Sequence, residues 1–207
     1  MKQVKTAIKQ HAKAIKKPSA MPGAPGEVRI ISGQWRGRKL AVLDAEGLRP
    51  TTDRVKETLF NWLMHDIDGA AVLDCFAGSG SLAFEALSRY ARSATIVERE
   101  AAQAKQLQHN IAKLNCTTAT VIQQDCLSYL NSAAAAQFDV VFIDPPFRKN
   151  LALPCCQLLE QHNWLAENAL IYLETEKELA ITQLPANWRL LKEKVAGQLA
   201  YRLYQRG

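Results

Sequence analysis

Residues 72–83 read VLDCFAGSGSLA, an apolar run that ends in an acid and passes through a glycine loop into a helical pattern. After this stretch, short apolar runs alternate with helical stretches, which predicts a doubly wound α/β sheet. A C-terminal hairpin is predicted around Ala196-Gly197-Gln198 within residues 188–205. The predicted strands cover residues 71–73, 94–97, 120–122, 140–143 and 169–173.

The glycine loop fits two kinds of cofactor site. Residues 78–83 match the dinucleotide pattern GxGxxA, and Glu98 follows Gly78 by 20 residues, where a ribose-binding acid is expected. Asp74 argues against a dinucleotide, because it would set a carboxylate beside the pyrophosphate. A ligand with an ammonium group is favoured instead, and S-adenosylmethionine carries one. The glycines, Gly78 and Gly80, then allow close backbone approach, and Glu98 can accept both ribose hydroxyls.

Asp125 follows the third predicted strand and can accept the exocyclic amine of adenine. Taken singly, it is as well explained as a helix cap. Three acids at the carboxyl ends of successive strands, however, lie together at the switch point of a doubly wound sheet. Asp74, Glu98 and Asp125 therefore predict a site for S-adenosylmethionine.

Residues 143–147 read IDPPF and end the fourth predicted strand. Proline cannot donate to a sheet ladder, so the strand must stop at Asp144, and two prolines hold the following backbone rigid. The Asp144 carboxylate and the Pro145 carbonyl can each accept one N–H of an exocyclic amine, which directs the nitrogen lone pair at a methyl donor. Phe147 offers a ring on which a base can stack. A plain strand followed by a Pro-Pro turn is the alternative.

The N-terminal third is basic: residues 1–58 carry 13 Lys and Arg against 5 Asp and Glu, within a net charge of +6. This asymmetry favours a nucleic acid partner, although a solvated tail has the same composition. Lysines spaced by three or four in residues 2–16 predict either a helix that orders on RNA or a solubilising tail. A proline- and glycine-rich linker follows at residues 18–26.

Residues 28–31 and 39–43 predict a small hairpin with a basic tip, and a helix follows with Thr52 or Asp53 as its N-cap. Five basic side chains in this region are candidate phosphate contacts, which would give a salt slope of roughly −3.5 to −4.5 in RNA binding. Capping and surface ion pairing are the alternative roles for Arg49 and Arg54. The candidates are Arg36, Arg38, Arg49, Arg54 and Lys56.

The five cysteines show neither CxxC nor Cys/His spacing, so the sequence predicts no disulfide framework and no metal site. No apolar stretch approaches the ~20 residues of a membrane span, and the N-terminus lacks the apolar core of a secretory signal. A cytoplasmic protein is therefore expected.

DPPF after a DCFAGSG loop resembles class I S-adenosylmethionine-dependent amino-methyltransferases, and residues 29–38 and 49–60 resemble the N-terminal motifs of the RsmD type. That resemblance covers about residues 27–207. It implies a Rossmann-like, mostly parallel seven-stranded sheet with a C-terminal antiparallel hairpin, and methylation of a guanine N2 amine in small-subunit ribosomal RNA. The expected partner is a ribosomal assembly particle and the expected state a monomer. Phe76 and Cys126 are also assigned to the cofactor site.

Three segments are expected: a basic tail (1–26), an RNA-contacting hairpin and helix (27–65) and a methyltransferase domain (66–207). Two rival functions remain open at this point. One is an adenine-N6 methyltransferase acting on DNA or RNA, because DPPF serves any conjugated amine. The other is a non-catalytic RNA-binding factor that keeps the cleft as a scaffold. For any of the enzymes, the base must lie in a loop or be flipped out of a duplex.

Overall fold

The computed structural model describes residues 26–43, 52–179, 181 and 183–207. Strands and helices alternate through its central part, as the sequence predicts. The strands are β1 (Gly26–Arg29), β2 (Lys39–Val42), β3 (Ala71–Asp74), β4 (Ser93–Glu98), β5 (Ala119–Gln123), β6 (Phe138–Ile143), β7 (Leu165–Glu176), β8 (Trp188–Ala196) and β9 (Leu199–Arg206). The helices are α1 (Asp53–Trp62), α2 (Ser81–Ser88), α3 (Ala101–Leu114), α4 (Cys126–Leu130) and α5 (Ala152–Gln161).

The main sheet has seven strands in the order β5-β4-β3-β6-β7-β9-β8. Strands β3 to β7 are parallel to one another, whereas β9 is antiparallel to both of its neighbours, β7 and β8. Each parallel connection includes a helix, because parallel strands cannot be joined by a tight turn. The predicted α/β sheet with a C-terminal antiparallel hairpin is confirmed.

Apolar side chains cover both faces of the sheet. On one face, α1, α2 and α3 pack with the β1–β2 hairpin over residues such as Val72 and Phe142. On the other face, α4 and α5 pack over Leu73 and Val141. Neighbouring residues of a strand point to opposite faces, which is why strands covered on both sides are continuously apolar. Polar residues at the ends of these strands therefore interrupt a continuously apolar pattern.

The hairpin predicted near the N-terminus is present, but the extent of its first strand differs from the prediction of residues 28–31. Its first strand ends at Arg29, not at residue 31. The reason lies in α2: the N–H groups of Ile31 and Ser32 donate to the buried Glu85 carboxylate at 2.8 and 3.0 Å, and so leave the ladder. Gly33 approaches α2 so closely that a Cβ there would lie 1.8 Å from the Ser88 carbonyl oxygen. The hairpin tip is thus fixed against the main domain.

Helix α1 begins as predicted. Thr52 is its N-cap, and its side chain accepts a hydrogen bond from the Val55 N–H. The predicted apolar face is buried, with Val55, Leu59, Phe60 and Leu63 each at most 5% exposed. Helix α1 therefore packs as an integral part of the fold.

Several predictions concern parts of the chain outside the described residues. These are the lysine stripe, most of the linker, and Arg49. No helix in the described ranges is long and apolar enough to cross a membrane.

Candidate active site

A crevice is expected where β3 meets β6. From β3 the chain runs outward through β4 to β5, and then returns to the other side of β3 at β6. This reversal of strand order is the switch point at which open α/β sheets bind ligands, beyond the carboxyl ends of the strands. The Cys75 N–H donates to the Phe142 carbonyl at 3.0 Å and joins the two strand tips. Asp74 and Asp144 follow from these two neighbouring strands.

Asp74 is a buried acid at the tip of β3. Its carboxylate is 2% exposed and accepts a hydrogen bond from the Ala83 N–H of α2 at 3.3 Å. Burial raises the pKa of Asp74 to about 7, and repulsion from Glu98 adds to the shift. Because that repulsion disfavours a second negative charge, a cation is the ligand that this carboxylate would favour.

The glycine loop turns sharply into α2. Gly78 and Gly80 have φ of 51° and 72°, in the left-handed region that glycine adopts readily. A Cβ on Gly80 would also lie 2.5 Å from the Leu107 side chain. At the first position of α2, Ser81 Oγ is the buried side-chain atom without a hydrogen bond partner among the described residues. An orphaned hydroxyl beside a glycine loop is a ready polar contact for a ligand, and sequence reasoning did not single it out.

Glu98 holds the loop from the tip of β4. Its two carboxylate oxygens accept the N–H groups of Gly78 at 2.9 Å and Glu100 at 2.8 Å. Each carboxylate oxygen has two lone pairs, so both can accept a further hydroxyl. Asp125 is the N-cap of α4, and its Oδ1 accepts the N–H and the hydroxyl of Ser128 at 2.9 and 3.0 Å. The capping alternative therefore describes Asp125 well, and its second oxygen is available to a ligand in addition.

Three buried thiols lie beneath this loop. The Sγ atoms of Cys75, Cys126 and Cys155 are all within 4.8 Å of one another. Hydrogen bonds from Cys155 and Cys75 lower the pKa of the Cys126 thiol. This cluster was not predicted from the sequence, because the three cysteines are far apart along the chain. It also turns the Cys126 side chain toward the other thiols, so that contact with a ligand falls to the Cys126 backbone.

The residues after β6 form the other side of the crevice. Asp144 is half-buried and Pro145 is buried, whereas Phe147 is 38% exposed. The carboxylate of Asp144 raises the pKa of Tyr172 on the neighbouring strand, after the larger effects of burial and of Glu174. The Arg148 N–H donates to Glu176 Oε1 and ties the loop to the end of β7.

Sequence reasoning missed a second acid beside Asp144. Glu174 of β7 is 4% exposed, and its Oε2 accepts the Tyr172 hydroxyl at 2.6 Å. Burial raises the pKa of Glu174, while the tyrosine hydrogen bond lowers it. The signal was present in the sequence, because Glu174 follows the predicted strand 169–173 as Asp74 follows the first strand.

The candidate phosphate contacts fall into two groups. Arg36, Arg38 and Arg54 are exposed, although Arg38 Nη2 also donates to the Lys113 carbonyl at 2.9 Å. Lys56 is only 2% exposed, and its Nζ donates to the Arg29 carbonyl at 2.6 Å. Burial lowers the Lys56 pKa. The predicted phosphate contact of Lys56 is therefore corrected to a structural role, because its ammonium group lies inside the fold.

The chain matches the family model described as conserved hypothetical protein 95 over residues 28–205. Ribosomal RNA small subunit methyltransferase D of Escherichia coli K12 is 54% identical over 192 residues, covering 93% of this chain and 96% of the relative. The Haemophilus influenzae protein of the same name is 57% identical over 187 residues, covering 89% and 96%.

A solved structure agrees with these matches. The Escherichia coli protein yhhF superposes with a TM-score of 0.83 at 53% identity, covering 87% of this chain and 98% of that one. The family match over residues 28–205 includes strands β2 to β8 and all five described helices in full. The chain therefore belongs to the conserved hypothetical protein 95 family, the RsmD-type methyltransferases.

Proposed function

We propose that this protein transfers a methyl group from S-adenosylmethionine to the exocyclic N2 amine of a guanine in small-subunit ribosomal RNA. One observation carries the proposal: acids follow directly from the tips of two neighbouring parallel strands at the switch point, Asp74 from β3 and Asp144 from β6. The first suits a cationic donor and the second an amine. The names of the relatives supply the class of RNA.

The residues present fit S-adenosylmethionine. Asp74 and Glu98 repel each other, and a cationic ligand relieves that repulsion. The orphaned Ser81 hydroxyl lies at the start of α2, where the helix dipole also favours an anionic group such as the donor's carboxylate. When bound, S-adenosylmethionine supplies the methyl group from its sulfonium centre.

Each acid then has a distinct role in holding the donor. Asp74 would pair with the ammonium group, Glu98 would accept the ribose hydroxyls, and Asp125 would accept the adenine amine. Gly78 and Gly80 let the backbone approach, while Phe76 and the Cys126 backbone complete the site. The chain thus needs no metal for donor binding in this proposal.

Asp144 and Pro145 act on the amine that receives the methyl group. The lone pair of a guanine N2 amine is delocalised into the ring, which makes the nitrogen a weak nucleophile. If the Asp144 carboxylate and the Pro145 carbonyl each accept one N–H, the nitrogen can become tetrahedral and aim its lone pair at the methyl carbon. As the nitrogen–carbon bond forms, the methyl–sulfur bond would break and the neutral thioether would leave; the nitrogen would become cationic, and its proton could then pass to Asp144. Phe147 supplies a ring for stacking.

The N-terminal segment, residues 27–65, is the proposed RNA-contacting part, and residues 66–207 form the methyltransferase domain. Arg36, Arg38 and Arg54 are exposed and can contact phosphates. The target guanine must be unpaired or flipped, because its amine is inaccessible within a duplex. We further propose that a monomer acts in the cytoplasm on a ribosomal assembly particle.

The test is to identify the product. The protein is incubated with isotope-labelled S-adenosylmethionine and small ribosomal particles or total RNA from cells that lack it, and the digested nucleosides are analysed by mass spectrometry. Labelled N2-methylguanosine is expected from small-subunit RNA. N6-methyladenine would instead support the alternative activity, and the absence of any labelled nucleoside would leave only an RNA-binding role.

A further inference from the structure

Asp144 and Glu174 occupy equivalent places on adjacent strands. Ile143 of β6 pairs with Leu173 of β7 in parallel register, so Asp144 and Glu174 are the next residues along each strand. Two positions before Asp144 and Glu174, and therefore on the same face of the sheet, Phe142 and Tyr172 have their rings in edge contact with centroids 6.3 Å apart. Neighbouring strands lie about 4.8 Å apart, so the backbones of Asp144 and Glu174 are neighbours at one edge of the crevice. After the larger effect of burial, the charges of both carboxylates raise the pKa of Tyr172.

The surroundings of Glu174 are unusual for a purely structural acid. It is 4% exposed, and its polar contact within the fold is the Tyr172 hydroxyl at 2.6 Å. Among the described residues, no lysine or arginine influences its titration. A buried carboxylate is costly unless its lone pairs are used, and one tyrosine hydroxyl occupies only one of about four acceptor sites. The position therefore suits a ligand that brings further donors.

Two adjacent acceptors match one nucleobase edge. Guanine presents its N1–H next to its N2 amine, so both neighbouring groups are donors. Adenine presents an unprotonated N1 next to its amine, and a carboxylate opposite that lone pair would be repelled. A pair of carboxylates thus accepts guanine and disfavours adenine, which a single acid after β6 cannot do.

We infer that Glu174 selects guanine by accepting its N1–H while Asp144 and Pro145 hold the N2 amine. The inference rests on the proposed function and names the residue that gives it base specificity. Tyr172 is a positioning residue, because its hydroxyl fixes the Glu174 carboxylate and does not touch the base. Neither residue belongs to the glycine loop or to DPPF.

The experiment removes the N1–H from the target base. An RNA fragment or particle is prepared with 2-aminopurine in place of the target guanine identified by mass spectrometry. This base keeps the 2-amine, has an acceptor at N1, and also lacks the O6 of guanine. Both substrates are assayed with the wild type, with Glu174→Gln, and with Glu167→Gln as a matched control. Glu167 is an exposed acid at the opposite end of the same strand.

For Glu174→Gln, kcat/KM on guanine is expected to fall by about 10²-fold, because a charged acceptor is lost from a site built to bind N–H. The glutamine amide can donate to N1 of 2-aminopurine, so the preference for guanine over 2-aminopurine should shrink by at least tenfold. Glu167→Gln should leave that preference unchanged. The preference of each protein is its kcat/KM on guanine divided by its kcat/KM on 2-aminopurine. Dividing the preference of the variant by that of the wild type removes any intrinsic difference in reactivity between the two bases.

Equal losses on both bases would overturn the inference and assign Glu174 a structural role. If Glu174→Gln fails to fold, the wild type still decides: similar kcat/KM on guanine and 2-aminopurine would overturn it. Tyr172→Phe offers a second variant, with a smaller loss expected on guanine and unchanged affinity for S-adenosylmethionine by titration calorimetry. If the wild type does not methylate guanine at all, the proposed function fails instead, which separates the two outcomes.

Discussion

The acids that follow β3 and β6 are neighbours in the sheet, yet their surroundings differ. Asp74 is 2% exposed, hydrogen bonded to α2 and enclosed by the glycine loop. Asp144 is half-buried, and the residues from Pro146 to Asn150 are exposed. The β3 side thus resembles a site formed in advance for a small molecule. The β6 side is open, as entry of a base from a large RNA requires.

The first test of this contrast removes Asp144, the acid on the open β6 side. Asp144→Ala is expected to lower kcat by at least about 10²-fold, as loss of one preorganised polar contact does in comparable sites. Affinity for S-adenosylmethionine should hardly change, because Asp144 faces the amine and not the donor. Single-turnover kinetics and titration calorimetry measure the two quantities. Near-normal turnover would refute the amine-orienting role and favour a non-catalytic RNA-binding protein.

Removing Asp74, the enclosed acid on the β3 side, should weaken donor binding, the property that Asp144→Ala leaves almost unchanged. Asp74→Asn is expected to weaken S-adenosylmethionine binding by roughly 10- to 100-fold, the loss of a hydrogen bond to a charged group. The same variant should be more stable than the wild type without ligand at pH 8. The folded-state pKa of about 7 lies above the ordinary value of 3.8, so the wild type loses stability as pH rises between those values. The gain at pH 8 can reach about 4 kcal/mol.

Urea unfolding at pH 5 and pH 8 measures this gain, and calorimetry measures donor binding. Glu100→Gln is a suitable control, because this exposed acid lies beside the same loop and its carboxylate accepts a hydrogen bond from the neighbouring Arg99 side chain. Unchanged donor affinity in Asp74→Asn would contradict the cofactor assignment. If the gain in stability of Asp74→Asn over the wild type is the same at pH 5 and at pH 8, the buried state of Asp74 is contradicted.

The raised pKa of Asp74 also predicts that donor binding depends on pH. A bound ammonium group favours the charged carboxylate, so its pKa falls on binding and a proton is released below about pH 7. Wild-type affinity should therefore rise as pH increases toward 7, by at most about tenfold per unit. Calorimetry in two buffers of different ionisation enthalpy counts the proton. Asp74→Asn should abolish the proton release. Proton uptake by the wild type would contradict the pairing of Asp74 with the ammonium group.

Much of this contrast is readable from the sequence. The apolar runs end in Asp74, Glu98 and Asp144, and burying a carboxylate inside a doubly covered strand is costly, so an acid after such a run predicts a strand end. Thr52 was equally predictable, because a capping side chain needs only the local chain. Features that depend on a local sequence pattern, such as strand ends and this helix cap, could thus be predicted.

The missed features depend on contacts between distant segments. Glu85 captures the N–H groups of residues 31 and 32 from across 53 or more positions, which shortens β1. The thiols of Cys75, Cys126 and Cys155 meet only because β3, α4 and α5 pack together. Glu174 follows an apolar run as Asp74 does, but its place beside Asp144 emerges only from the β6–β7 register. No pattern within a single segment carries such information.

The basic surface gives a second and smaller contrast, between Arg54 and Lys56 on the same helix. Arg54 is exposed, whereas Lys56 is 2% exposed and bound to the Arg29 carbonyl. Arg54→Ala should weaken RNA binding by a few fold and reduce the slope of log K against log salt by about 0.7–0.9, the loss of one phosphate contact. Filter binding over a range of salt concentrations measures the slope.

Lys56→Met is the matched comparison, because it removes a positive charge two residues away while keeping a long apolar stem. Its salt slope should equal that of the wild type, since a buried ammonium group releases no counterion from RNA. Its melting temperature should fall instead, because the Arg29 carbonyl loses its donor and Asp53, 3.8 Å away, loses a charge partner. A reduced slope in Lys56→Met would mean that this lysine leaves the fold to meet a phosphate. The division of the helix into an RNA-facing residue and a structural residue would then be wrong.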